Sequence, residues 1–181
     1  MKILFFSDVH GYVDGIKKIQ EIDKQEQFDK IVSLGDMYYP GPNYDGTKPI
    51  NCLEVKNIFM GFADRLVGVR GNCDADVDVK ASDFPIASEL LTFSVDGLDI
   101  YCSHGNVYNK ENNSKFAGKK GLFVFGHKHV PEIETIDEMV YVNVGSVSVP
   151  KNNSKESYAV YEDKKITVYS LDGEVLFSEN L

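Results

Sequence analysis

Short apolar runs, each closed by polar residues or glycine, punctuate the first two thirds of the chain: Lys2 to Ser7, Lys30 to Leu34, Leu66 to Arg70, Leu98 to Ser103 and Leu122 to Phe125. Their length and their β-branched and aromatic content predict buried strands. Between the first two runs, Val13, Ile16, Ile19 and Ile22 recur at helical spacing, with Lys17, Lys18, Glu21 and Lys24 on the opposite side. That pattern predicts a helix packed on a sheet. A second helix is expected after Pro49, capped by Asn51 and burying Leu53, Val55, Ile58, Phe59 and Phe62. Strand, helix, strand, helix, strand is the order of an α/β fold with parallel strands.

The last third changes character. Val140 to Val144, Ser157 to Tyr161, Lys165 to Tyr169 and Glu174 to Phe177 are strand-like, with turns at Glu162-Asp163 and Asp172-Gly173. Helices outside and two sheets face to face inside account for this better than one doubly wound sheet. No repeat or linker interrupts the chain, so one domain over residues 1–181 is expected. The Pro- and Gly-rich stretch from Pro40 to Pro49 is short enough for a surface loop.

Composition narrows the function classes. The 181 residues are 43% apolar, enough for a core, and 19 Lys and Arg stand against 28 Asp and Glu, a formal charge of -9. That balance disfavours nucleic-acid duplexes and anionic membranes as partners and favours a small substrate. Carboxylates gathered around cations would count as negative in this sum while the loaded site is not. Cys52, Cys73 and Cys102 form no C-x-x-C pair, which argues against a disulfide framework or a structural zinc site and fits a reducing cytoplasm. The apolar run after Met1 is too short for a signal peptide, and no stretch is long enough to span a bilayer.

Polar residues with chemistry stand where the strands end. They are Asp8-Val9-His10-Gly11, Gly35-Asp36, Gly71-Asn72-Cys73-Asp74, His104-Gly105 and Gly126-His127-Lys128-His129. Ligands of α/β sheets gather at the carboxyl ends of the strands, so these five ends can converge. Singly, Asp8 and Asp36 read equally well as caps or turn residues, and Gly71-Asn72 as a turn. One histidine is more often a packed or surface residue than a ligand. All four histidines of the chain, however, lie in these motifs, and capping does not explain them. Carboxylate, amide and imidazole donors suit manganese, iron or zinc. Asp8, His10, Asp36, Asn72, His104, His127 and His129 exceed the four ligands that one zinc takes and fit two cations sharing a carboxylate, about 3.5 to 4 Å apart. Lys128 reads as solvated, and Arg70 as a loop support or a phosphate contact. The lysine-rich stretch Lys110 to Lys120 reads as a solvated face or an anion guide, and Tyr38 and Tyr39 as packing or as a stacking surface for a base or aryl group.

In this order, D-x-H, G-D, G-N-C-D, H-G and G-H-x-H, the motifs resemble those of the calcineurin-like metallophosphoesterases. Gly145-Ser146 with Pro150 resembles that family's closing loop. Length, Cys73 and the Gly145 to Pro150 run resemble most its small YfcE/MJ0936-like phosphodiesterases. The resemblance implies a four-layer α/β/β/α sandwich and a cytoplasmic phosphodiesterase acting on small phosphate diesters through two divalent ions. Manganese is implied first, with nickel, iron or zinc as substitutes. It places Asp8, His10 and His129 on one ion, Asn72, His104 and His127 on the other, and Asp36 between them. Asn72 and Cys73 occupy the catalytic positions. Cys73 stands where many relatives carry a histidine that protonates the leaving group, and is a poor general acid. Asn106 replaces a second histidine after His104-Gly105, and Val144 a proline. A phosphomonoesterase, and a non-catalytic scaffold like the retromer subunit of this fold, are the alternatives. The scaffold has lost ligands at the G-D and G-N positions, whereas Asp36 and Asn72 are intact. A duplex nuclease would need a basic domain that is missing here. A homo-oligomer is compatible with the sequence.

Overall fold

Alternation of side chains along the strands sets the layers of this molecule. The computed structural model describes residues 1–41 and 46–181. Its strands are β1 (Ile3–Phe6), β2 (Lys30–Ser33), β3 (Leu66–Val69), β4 (Ile86–Ala87), β5 (Leu90–Val95), β6 (Leu98–Ser103), β7 (Gly121–Phe125), β8 (Glu132–Ile136), β9 (Met139–Asn143), β10 (Ser157–Glu162), β11 (Lys165–Ser170) and β12 (Val175–Asn180). The helices are α1 (Val13–Glu26), α2 (Cys52–Met60) and α3 (Asp76–Ala81), with a single 3-10 turn at Ser114–Phe116.

Two sheets result, ordered β12-β11-β10-β1-β2-β3-β4 and β5-β6-β7-β9-β8. In the first, β1, β2, β3 and β4 run parallel while β10 returns antiparallel beside β1. In the second, β6, β7 and β9 are parallel, flanked by antiparallel β5 and β8. Leu4, Phe6, Ile31, Leu66, Tyr158 and Val160 face α1 and α2 in one core. Their neighbours Ile3, Phe5, Val32, Val69, Ala159 and Tyr161 face the second sheet, meeting Ile100, Cys102, Leu122, Val124 and Val142 in the other. This period of two is what a sheet buried on both faces requires. The second sheet's outer residues, Tyr101, Phe123, Phe125 and Tyr141, pack under Phe116. The layers therefore follow the expected α/β/β/α order, and the last is thin, with loop 105–120 and its 3-10 turn standing in for a full helix.

α1 and α2 form as their patterns predict: Ile16 and Ile19 are buried, and the Asn51 side chain caps α2 by accepting from the Glu54 N–H at 3.1 Å. Leu53 is a correction. Expected in the core, it is 69% exposed, because the helix turns Val55, Ile58 and Phe59 inward and leaves the first turn facing out. Of the Pro40 to Pro49 loop, residues 42–45 lie outside the described residues, and Ile50 just beyond it bridges to Tyr12. Among the described residues, no helix is long and apolar enough to cross a membrane.

Candidate active site

The parallel strands β1, β2, β3, β6 and β7 deliver their C-terminal ends to one edge of the sandwich. Backbone hydrogen bonds lock the first two loops together: Asp8 N–H donates to Gly35 O, His10 N–H to Asp36 O and Gly11 N–H to Met37 O, at 2.9 to 3.1 Å. The chain turns so sharply here that Asp8, His10, Asp36, His127 and His129 all take positive φ, between 51° and 67°. For residues with a Cβ, that left-handed region costs of order 1–2 kcal/mol each. Such strain persists only where surroundings over-determine it, which is the habit of functional sites. Two glycines permit the close approach. A Cβ on Gly71 would sit 2.1 Å from Asp36 Oδ1, and one on Gly126 would sit 2.0 Å from Ser7 Oγ and 2.7 Å from Asp8 Oδ2.

Three histidines are oriented in the same way. The Nδ1 of His10, His104 and His129 lies 2.7 to 2.8 Å from the carbonyl oxygens of Tyr39, Leu34 and Val149. A carbonyl only accepts, so each Nδ1 carries the proton and each Nε2 presents a lone pair to the interior. Those lone pairs meet oxygen. His129 Nε2 is 3.1 Å and His10 Nε2 3.6 Å from Asp8 Oδ1; His10 Nε2 is 3.6 Å and His104 Nε2 3.3 Å from Asp36 Oδ2. His104 Nε2 also lies 3.0 Å from Asn72 Oδ1.

Lone pairs facing lone pairs in a buried site require positive charge between them, either protons on the imidazoles or a bound cation. The electrostatics of the cluster reflect that demand. Burial works against charge on His104, yet Asp36 and Asp8 push it up to about 9. Burial likewise opposes ionisation of Asp8, but His10 and His129 hold it well below the usual carboxylate range. Asp36 is lowered against its own burial, chiefly by His104. His127 is lowered by burial and by its neighbour His104. Asp8 Oδ1 and His10 Nε2 are buried with no hydrogen-bond partner among the described residues. The donor atoms of Asp8, His10 and His129 lie within 4.8 Å of one another, as do those of Asp8, Asp36 and His104, and of His10, Asp36 and Cys73. The residues present therefore fit the binding of a divalent cation.

The remaining candidates sit at the rim. Asn72 is exposed apart from its contact to His104, and its Nδ2 donates to Cys73 Sγ at 3.2 Å. The half-buried His127 ring stands edge-on to His104 with centroids 5.0 Å apart, and the His127 backbone N–H donates to Asp8 Oδ2 at 2.9 Å. Cys73 N–H donates to Asp36 Oδ1 at 2.8 Å. Burial first, and then the Asp36 charge beside it, pushes the Cys73 thiol up to about 12. Arg70 is a loop support, donating to Asp74 O and pairing with Asp76. Lys128 pairs with Glu111 and Glu132.

Three supporting residues had no role in the sequence reading. Asp74 accepts from the N–H groups of Asp36, Met37 and Gly71, each at 2.8 Å. Asn143 donates to Gly126 O and accepts from Gly145 N–H. Ser146 Oγ donates to Asp8 O and accepts from the N–H groups of Ser148 and Val149. Asp74 was visible inside the G-N-C-D motif and Ser146 inside the Gly145-Ser146 closing-loop resemblance; nothing in sequence distinguished Asn143.

Comparison with known proteins agrees with this geometry. The calcineurin-like phosphoesterase superfamily domain matches residues 1–165. Phosphodiesterase YfcE of Escherichia coli (strain K12) is 29% identical over 182 residues, covering 99% of this chain and 97% of its own. The structure of that phosphoesterase superposes with a TM-score of 0.91 over 99% of both chains, at 27% identity. Phosphodiesterase MJ0936 of Methanocaldococcus jannaschii is 22% identical over 156 residues, 80% of this chain and 83% of its own. The zinc complex of Vps29 from Entamoeba histolytica shares the fold, with a TM-score of 0.67 and 16% identity over 100% of this chain and 98% of that one.

Proposed function

The chain belongs to the calcineurin-like phosphoesterase superfamily, hydrolases of phosphoric esters, and from that premise we propose that it is a cytoplasmic phosphodiesterase that cleaves small phosphate diesters with two divalent cations, manganese first among them. The observation that carries this reading is the convergence of three Nε2 lone pairs on the Asp8 and Asp36 carboxylates, with every matching Nδ1–H already donated to a carbonyl. Three free cysteines fit the reducing compartment.

Asp8, His10 and His129 would hold one cation, Asn72, His104 and His127 the other, and Asp36 both. When bound, such a pair makes hydroxide available near neutral pH and offsets charge on the attacking and leaving oxygens. The protein's part is orientation. The Tyr39, Leu34 and Val149 carbonyls fix the three imidazole tautomers, and the His127 and Cys73 N–H groups fix one oxygen of each carboxylate, leaving the other free to coordinate. In the metal-free chain, burial and the Asp36 charge hold Cys73 as a neutral thiol, and a thiol is a poor general acid. Leaving groups that depart without a proton, such as phenols, are therefore the better ones.

Equilibrium dialysis of the metal-stripped chain against manganese tests the proposal. Two ions bound per chain, and faster turnover of bis-p-nitrophenyl phosphate than of p-nitrophenyl phosphate, are expected; a single ion, or a preference for the monoester, would count against it.

A further inference from the structure

Beside the cation cluster opens a cavity of about 860 Å³, bounded by the loop after β2, the first turns of α2 and the segment from Arg70 to Ala81. Its walls are mostly apolar. Tyr38, Tyr39, Pro40 and Leu53 contribute rings and an alkyl chain, and Asn72 and Cys73 form the boundary shared with the cluster. Two of these side chains are exposed large hydrophobics: Leu53 at 69% and Tyr39 at 50%. Neither position is an accident of a loose end. Leu53 lies in the capped first turn of α2, and Tyr39 is pinned through its carbonyl, which accepts from His10 Nδ1. Tyr38 is anchored behind them by a hydrogen bond between its hydroxyl and Ser82 Oγ at 2.9 Å and by edge-on packing against Phe59. The cations nearby are already engaged, Lys56 with Asp83 and Arg70 with Asp76.

Building on the phosphoesterase reading above, we infer that this cavity is the specificity subsite for a bulky aromatic group, of aryl or nucleoside size, esterified to the phosphate. Its volume lies in the range of small-molecule sites, and because the charged residues in its lining, Lys56, Arg70, Asp74 and Asp78, are all engaged within the protein, its exposed apolar wall selects by shape and burial. A phosphate held beside Asn72 and Cys73 projects one ester arm across that shared boundary. There the ring covers Leu53 and lies against Tyr39, which removes apolar surface from water on both sides. The helical periodicity that puts Leu53 in line with the core residues of α2, and the structure that turns it outward, find a common reason: it is an apolar residue kept exposed for a ligand.

Phosphonates test this without turnover, because their P–C bond is not a phosphoester. Phenylphosphonate and methylphosphonate are titrated calorimetrically into the manganese-loaded wild type, Leu53→Asp and Tyr39→Ala proteins. Partial burial of one ring predicts phenylphosphonate binding about tenfold tighter than methylphosphonate in the wild type. That ratio falls below about threefold in each variant, while the methylphosphonate affinity of Leu53→Asp is unchanged. Both substitutions are at exposed side chains, so folding is retained. Equal affinities of the two phosphonates in the wild type, or a ratio untouched by either substitution, would overturn the subsite. Manganese-dependent methylphosphonate binding without a ring preference would do so while leaving the phosphoesterase reading intact; absence of manganese-dependent binding of either ligand would defeat both.

Discussion

Asp74 meets the candidate cation ligands only through the backbone N–H of Asp36, yet it gathers two of the loops that carry them. Its carboxylate accepts from the Asp36, Met37 and Gly71 N–H groups and so fixes the backbone of Asp36 against that of Gly71. Replacing it by alanine orphans three buried donors, each worth roughly 1 kcal/mol or more. Asp74→Ala is therefore expected to lower unfolding stability by about 3 kcal/mol and manganese affinity by about 10- to 100-fold, read by denaturant titration and equilibrium dialysis. Cys73 is the opposite case, a residue inside the cluster with little to do in the chemistry. Cys73→Ala should hydrolyse bis-p-nitrophenyl phosphate within about twofold of the wild type, because a working general acid would be worth about 10²–10⁴ in rate. A loss of that size would make the thiol the proton donor. The seven candidate ligands stood out in the sequence because their residue types gather in the motifs that close the strands, five of them next to glycine. The left-handed backbone of Asp8, His10, Asp36, His127 and His129 did not, since Asp and His at positive φ carry no signature of their own in the sequence.

At the scale of elements, legibility followed burial. Strands β1, β2, β3, β6 and β7 are buried enough to show as apolar runs, and α1 has a clean stripe. α3 has no buried residue and β4 only two residues, so neither carries a pattern to read. β5 and β8 alternate only weakly because they lie at the sheet's edges. Leu53 misled because periodicity finds a face but not what covers it. One tie between elements is polar. Arg65, at the start of β3, donates both Nη groups to the buried Asp23 carboxylate of α1 at 2.8 and 2.9 Å, and Nη1 also reaches Phe28 O at 2.7 Å. Arg65→Ala leaves that carboxylate without its fork and should cost about 2 kcal/mol of stability. Because Arg65 and Gly71 lie at opposite ends of β3, kcat/KM should stay at the wild-type value. Thermal unfolding and steady-state kinetics on one preparation check both halves.

For the molecule as a whole, the formal charge is -9. The lysine-rich stretch from Lys110 to Lys120 is spent on structure: Lys110 pairs with Glu132 and Glu134, Lys115 lies over Tyr108, and Lys119 over Tyr101 and Phe116. These contacts tie loop 105–120 down as the outer cover of the second sheet, a role that its composition of lysine, asparagine and glycine conceals. What remains at the cluster is Asp8 and Asp36 among four imidazoles, which the proposed function fills with cations and through them a phosphate. The central claim is best tested by hydrolysis of bis-p-nitrophenyl phosphate by the wild type and Asp36→Asn, each stripped of metal and resupplied with manganese. The asparagine keeps one oxygen but loses the charge shared between the two cations. Turnover that depends on manganese and falls by at least about 10³ in Asp36→Asn is the predicted result; a wild type that binds manganese and hydrolyses nothing, or a variant as active as the wild type, would contradict it.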